Sequence, residues 1–244
     1  MRPSARFVAR ELLGRKGIFR YRLRSSGRPI HVRHNTGDRV VLHEVFYDGH
    51  YDMPDAAWAY LRGLDRPVEI VDLGANIGLF GVLMLDRLPG SRITAFEPDR
   101  SNAAVHLRTI EANGAADDWR LLQVAASNRP GRVSFVSGEF ARSRIDPGYG
   151  GEEVESVDVF AHLGHADFAK VDIEGGEWAI LDDERFRSLE TPVLVLEYHA
   201  DLCSGDPMRL ALDALTGAGY RTELSWRFPG QGMVWAWKPE IERG

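Results

Sequence analysis

The chain has 244 residues, with 30 Lys and Arg against 36 Asp and Glu, a formal net charge of −6 and 44% hydrophobic residues. This balance excludes intrinsic disorder as the main state and allows one large α/β domain, or two small ones at most. The single cysteine, Cys203, excludes an intrachain disulfide and a Cys-rich zinc module.

The start of the chain is basic. Residues 1–33 hold ten Lys and Arg and one acid, Glu11, while the other 211 residues hold 20 bases and 35 acids. A helix is expected over residues 4–13, then alternating strands at 18–23 and 29–33. The arm has two readings. It is a solvated helix and edge strand whose Phe7, Val8, Leu12 and Leu13 pack on the body, or it docks on an anionic membrane surface or on nucleic acid. It has few aromatics to stack bases, and the body is acidic, so nucleic acid is the weaker partner. No apolar run approaches the roughly 18 residues that span a bilayer. No n-region and h-region pair marks a signal peptide, so the expected compartment is the reducing cytoplasm. The oligomeric state is not legible.

Residues 34–53 read as a mixed segment. Residues 1–53 are therefore taken as an N-terminal extension with a lid, and 54–244 as the main domain. A helix is expected at 54–64, with Pro54 in its first turn. Buried strands follow at 68–73, 92–97, 119–125, 168–173 and 193–198. Helices at 77–88, 100–112, 176–181 and 207–216 alternate with them. Between these, 132–136 reads as an exposed strand and 137–151 as a polar, mobile loop. Strands at 222–227 and 233–238 close the chain as an antiparallel pair. The pattern gives an α/β fold, a Rossmann-like, mostly parallel sheet of about seven strands flanked by helices.

In such a sheet, ligands bind outside the carboxyl ends of the strands. The residues placed there are Asp72, Glu97, Ala125, Asp172 and Glu197, and four of these five are acidic. Packing does not explain them, since buried carboxylates are costly unless paired or functional. The loop Asp72-Leu73-Gly74-Ala75-Asn76-Ile77-Gly78 joins a strand to a helix, and Glu97 lies 25 residues beyond Asp72. An acid at that point accepts both ribose hydroxyls of a nucleoside. A dinucleotide would set its pyrophosphate against the loop, where Asp72 repels it by an energy of the order of a few kcal/mol. S-adenosylmethionine has no phosphate. Its sulfonium and ammonium cations suit Asp72 and Asp172, and Asn76 with the loop N–H groups of Gly74 and Gly78 suits its carboxylate.

Five segments carry a resemblance. They are V-D-L-G-A-N-I-G at 71–78, F-E-P-D at 96–99, A-A-S-N-R-P-G-R-V-S-F at 125–135, A-K-V-D-I-E-G-G-E at 169–177 and L-E-Y-H at 196–199. Together they resemble the FkbM-type methyltransferases that use S-adenosylmethionine. The stretch from Asp38 through Glu44 to Tyr51 also resembles the segment that precedes the domain in that family. The resemblance implies the class I methyltransferase fold. It also implies O-methylation of a hydroxyl on a sugar, glycoconjugate or secondary metabolite. It adds Pro98 and Ala126 to the cofactor set, with Glu44 and Tyr51 folding over the pocket. Gly81 departs from the family, which often has a small hydroxyl residue there, and its role stays open.

Methyl transfer to oxygen needs alignment and a base. Asp172 is expected to face the methyl group, with Glu174 on the same face if the backbone stays extended. His199 has the pKa range of a base. Alternatively Asp172, Glu197 and His199 hold Mg²⁺ or Mn²⁺, which acidifies the acceptor. A salt bridge to Lys170 or to an Arg is the plain role for Glu197. Tyr47, Tyr51, Trp178 and Tyr198 are candidates to stack a sugar ring. The cluster of His31, His34, His43 and His50 fits no common metal spacing. Rival functions are an N- or nucleic-acid methyltransferase of the same fold, an NAD(P)-dependent oxidoreductase, and a non-catalytic cofactor-binding subunit.

Overall fold

The computed structural model describes residues 5–136, 144–145 and 151–243. The N-terminal region holds α1 (Ala5–Leu12), the hairpin β1 (Ile18–Arg22) and β2 (Pro29–Arg33), α2 (Asp38–Phe46) and α3 (Asp55–Gly63). An alternating series follows: β3 (Glu69–Leu73), α4 (Leu79–Arg87), β4 (Arg92–Phe96), α5 (Arg100–Ala112) and β5 (Trp119–Leu122). The chain then forms β6 (Ala125–Ser127), β7 (Gly131–Val136), β8 (Arg144–Ile145), β9 (Glu152–Asp158) and α6 (Phe160–Leu163). It closes with β10 (Phe168–Val171), α7 (Glu177–Leu181), β11 (Val193–His199), α8 (Pro207–Gly217), β12 (Arg221–Phe228) and β13 (Gln231–Trp237).

The main sheet has seven strands in the order β12-β13-β11-β10-β3-β4-β5. All pairs from β11 to β5 are parallel, and β13 runs antiparallel to both its neighbours. Strand order reverses between β3 and β10, so their carboxyl ends open the crevice where ligands sit in such sheets. Residues alternate across the sheet. Ile70, Phe168 and Val195 join one core with Leu42 and Val45 of α2 and Ile30 and Val32 of β2. Val71, Ala169 and Leu194 join the other with α7 and α8. The N-terminal hairpin and α2 thus share a core with the sheet.

Three expectations are corrected. Residues 34–53, read as a mixed segment, are organised around a helix, α2. The β-branched pair Val40-Val41 weakens the helical signal. Tertiary contacts supply the difference, since Asp38 accepts the Arg33 backbone N–H at 2.7 Å and its guanidinium at 2.7 Å. The third buried strand ends at Leu122 rather than Ala125. Ala125 begins β6 in a second sheet, ordered β6-β9-β7-β8. Of the arm residues expected to pack on the body, only Phe7 does so; Val8, Leu12 and Leu13 are 40%, 81% and 69% exposed. Most of the polar loop expected at 137–151 lies outside the described residues. Among the described residues, no helix is long and apolar enough to cross a membrane.

Two glycines are fixed by close approach, one at the crevice and one in the core. Gly74 has φ +76°, and a Cβ there would sit 1.7 Å from the Asp172 carbonyl oxygen. Only glycine lets β3 and β10 converge so closely. A Cβ on Gly81 would lie 2.1 Å from the Trp119 ring, so this position gives its space to the buried indole.

Candidate active site

Two adjoining cavities open at the carboxyl ends of β3, β4, β10 and β11. Gly74, Asn76, Glu97, Pro98, Asn102, Ala126 and Asp172 are among the residues lining the first. The second, about 200 Å³, is lined by residues that include Glu44, Tyr51, Lys170, Asp172, Glu174, Glu197, His199 and Gln231. Gly74, Asn76, Asp172 and Glu174 border both.

Glu97 sits at the floor of the first cavity. Its Oε2 accepts the Asn76 N–H at 2.8 Å and its Oε1 the Asp99 N–H at 2.9 Å. Burial pushes its pKa up to about 7, although these hydrogen bonds oppose the shift. One carboxylate thus supports the glycine loop and faces the cavity. Asp99 in turn caps α5 by accepting the N–H groups of Ser101 and Asn102.

Two expected cofactor contacts are corrected. Asp72 is fully buried and does not reach either cavity. In the parallel register it faces Lys170 across β3 and β10, with Lys170 Nζ 3.5 Å from its Oδ1. Gly78 caps α4 with φ +83° against His106, behind the cavity wall. Glu44 and Tyr51 belong to the second cavity rather than the first. Trp178 and Tyr198 are core residues, and Tyr47 lines neither cavity, so none of the three is placed to stack a ring there.

Lys170 organises the centre, a role beyond the partner for Glu197 that the sequence suggested. It is 4% exposed within β10. Its Nζ donates to the Gly74 carbonyl at 3.0 Å and lies 3.0 Å from Asp172 Oδ2. Glu197, which was expected to pair with it, instead has its Oε1 3.6 Å from His199 Nε2. Burial alone would lower the Lys170 pKa, but the carboxylates of Asp172 and Asp72 outweigh it and raise it. A lysine inside a buried parallel strand was the available signal.

His199 is framed by acids. The fully buried Glu177 Oε1 accepts its backbone N–H at 2.8 Å and lies 3.1 Å from Nδ1. Nε2 lies 3.4 Å from Glu174 Oε2. Burial would lower its pKa, yet Glu177, Glu197 and Glu174 push it up to about 12. The raised pKa makes His199 a weaker proton acceptor than its ordinary value suggests, and Glu174 beside it is a second candidate for the base. The backbone is not extended beyond β10. Glu174 has φ +51°, a left-handed conformation costly for a side-chain-bearing residue. The turn nonetheless brings its carboxylate to His199.

The acids outnumber the cations. Burial, then repulsion from Glu197 and Asp172, raises Glu44 to about 7. Burial raises Glu174 to about 8 against the attraction of His199. Burial and Asp172 also raise Glu197. Ligand atoms of Asp172, Glu174 and His199 all lie within 4.8 Å of one another. The earlier histidine cluster disperses: His34 meets Tyr21 and Glu11, and His50 stacks on Trp226.

These shifts fix a pH dependence. Glu44, Glu97, Glu174 and Asp72 hold their protons more tightly folded than unfolded. Their stabilisation is complete below the usual carboxylate range and is lost as pH rises toward about 8. His199 adds to the decline above its ordinary value, because only the folded state keeps its proton. The unliganded protein should therefore melt at least about 2 °C higher near pH 5.5 than near pH 8, the effect of about 1 kcal/mol at this size. Calorimetry at the two pH values checks this; the opposite order would mean that the cluster does not strain the fold.

The model of the methyltransferase FkbM domain matches residues 72–222. A curated relative, methyltransferase sdnD of Sordaria araneosa, is 32% identical over 98 residues, 40% of this chain and 35% of that protein. The matched part is thus about a third of the relative's length. A SAM-dependent methyltransferase from Agrobacterium tumefaciens superimposes with TM-score 0.52 at 12% identity, covering 91% of this chain and 70% of that one. That likeness concerns the fold.

Proposed function

Since the chain belongs to the FkbM methyltransferase family, we propose that it transfers the methyl group of S-adenosylmethionine to a hydroxyl of a sugar, glycoconjugate or secondary metabolite. The observation that carries this is the pair of joined cavities. One has a carboxylate, Glu97, suited to ribose hydroxyls, and the other concentrates Glu44, Asp172, Glu174 and Glu197 around two cations. The excess of acids suits a sulfonium and an ammonium group, and it disfavours the pyrophosphate of a nicotinamide cofactor.

The acceptor enters the second cavity, beneath Glu44 and Tyr51 of the N-terminal segment. Its oxygen bonds to the methyl carbon while the carbon–sulfur pair stays on sulfur. The acceptor proton passes to Glu174, whose pKa of about 8 suits a base near neutrality. The products are a methyl ether and S-adenosylhomocysteine. Asp172, held by Lys170, presents fixed negative charge at the border of the two cavities.

A divalent metal is a second reading, favoured by one observation. Glu177 fixes His199 Nδ1 and leaves Nε2 facing Glu174, the outer contact that metal-binding histidines use. Asp172, Glu174 and His199 would then hold Mg²⁺ or Mn²⁺, with Glu197 close by. Such an ion, when bound, lowers the pKa of a hydroxyl.

S-adenosylhomocysteine should raise the melting temperature, and NAD⁺ at equal concentration should not. Glu97→Ala should weaken S-adenosylhomocysteine about 10- to 150-fold, through loss of hydrogen bonds to a charged group worth roughly 1.5–3 kcal/mol. Calorimetric titration measures it. Stabilisation by NAD⁺ alone would overturn the donor assignment, and unchanged affinity in folded Glu97→Ala would remove Glu97 from the site.

A further inference from the structure

Helix α1 meets the body along one side. Arg10 stacks over Phe19 at 4.3 Å and donates to the Tyr21 hydroxyl, and Glu11 pairs with His34 at 2.6 Å. The rest of the helix surface carries Val8 and Leu12, continued by Leu13, all exposed, with Arg6, Arg15 and Lys16 also in solvent. Adjacent exposed leucines set among bases mark a contact surface.

Beside them, Arg6, Arg10, Arg20, Tyr21 and Arg22 line a shallow hollow of about 360 Å³, and no carboxylate lines it. Neighbouring Arg28 and Arg33, in contrast, are paired with Asp86 and Asp38. Tyr21 and Arg22 also border an apolar cavity of about 540 Å³, walled in part by Phe7, Val8, Leu12, Leu23, Leu42 and Phe46. Among the described residues no carboxylate pairs with the arginines of this hollow, which adjoins a mostly apolar cavity also lined by Glu11 and Asp86.

We propose that this surface seats the protein on a bilayer containing anionic phospholipid. A headgroup phosphate occupies the arginine hollow, and Leu12 and Leu13 enter the interface beside the apolar cavity. The charge distribution favours this orientation, since residues 1–33 hold ten bases and one acid while the rest of the sequence holds 20 bases and 35 acids. A soluble phosphate would leave the leucines unexplained. Single-stranded RNA needs open aromatic faces, and here Arg10 lies over Phe19 and Tyr21. Val45 of α2 borders both the apolar cavity and the second active-site cavity, so docking sets the reacting end one helix from the lipid.

Vesicle flotation of the full chain tests this. It should bind phosphatidylcholine vesicles containing one quarter phosphatidylglycerol, and not phosphatidylcholine alone, with binding weakened by salt. One base near such a surface strengthens partitioning about fivefold, so Arg20→Gln/Arg22→Gln should weaken it about 25-fold. Leu12→Asp/Leu13→Asp should abolish flotation. Both variants change exposed side chains and should keep the wild-type melting temperature and S-adenosylhomocysteine affinity. Equal binding to both vesicle types, or binding unaffected by either double substitution, overturns the proposal. So does capture of inorganic phosphate or single-stranded RNA without flotation.

Discussion

Glu174→Gln is expected to lower kcat at least about 100-fold, the lower end of what a positioned general base supplies. S-adenosylhomocysteine affinity should change little, because Glu97 and the glycine loop remain. The wild-type kcat/KM profile should rise with pH through the range of about 7 to 8 set by Glu44 and Glu174. That limb should vanish in Glu174→Gln. Persistence of the limb there, with loss in Glu44→Gln, would move the base to α2. Chelation separates the metal reading. Loss of turnover in EDTA with recovery in Mg²⁺ or Mn²⁺ makes Glu174 a ligand, and Asp172→Asn should then also abolish metal-dependent turnover. Full activity of Glu174→Gln would overturn both roles.

Lys170→Met should destabilise the protein by about 3–5 kcal/mol, the usual result of removing one partner from a buried ion pair. The melting temperature should fall by roughly 6–20 °C in a chain of this size. The cause is Asp72, wholly buried and facing Lys170, whose pKa burial already lifts to about 6. Asp72→Asn in the Lys170→Met background should recover at least half of the loss, because Asp172 keeps 23% of its side chain in solvent. Asp72→Asn alone should be mild, since Lys170 retains Asp172 and the Gly74 carbonyl. A melting temperature within about 2 °C of wild type in Lys170→Met would show that the triad contributes nothing to stability.

The sheet was legible because most of its parallel strands are short apolar runs ended by an acid or a glycine, β5 being the exception. What failed was pairing between strands. Lys170 stood in plain view in Phe168-Ala169-Lys170-Val171, but its partners lie on β3 and beyond the end of β10. Glu177 was visible in the fourth motif, yet its contact is His199, 22 residues on. His199 looked like a base from its ordinary pKa, and three carboxylates around it raise that pKa. The run from Trp119 to Ala125 looked continuous, although the chain leaves one sheet after Leu122 and joins another at Ala125. Asp72 ends its strand as expected, but its side chain points to the core rather than the crevice. Position along a strand is written in the sequence; the direction that matters at its end depends on neighbours that are not.

Gly81 and Trp119 divide one volume between an α4 backbone position and a β5 ring. A larger residue at 81 fits only where the ring at 119 is smaller or displaced. A serine or threonine placed at 81 by itself would therefore meet the Trp119 ring, and a smaller residue at 119 would relieve the collision.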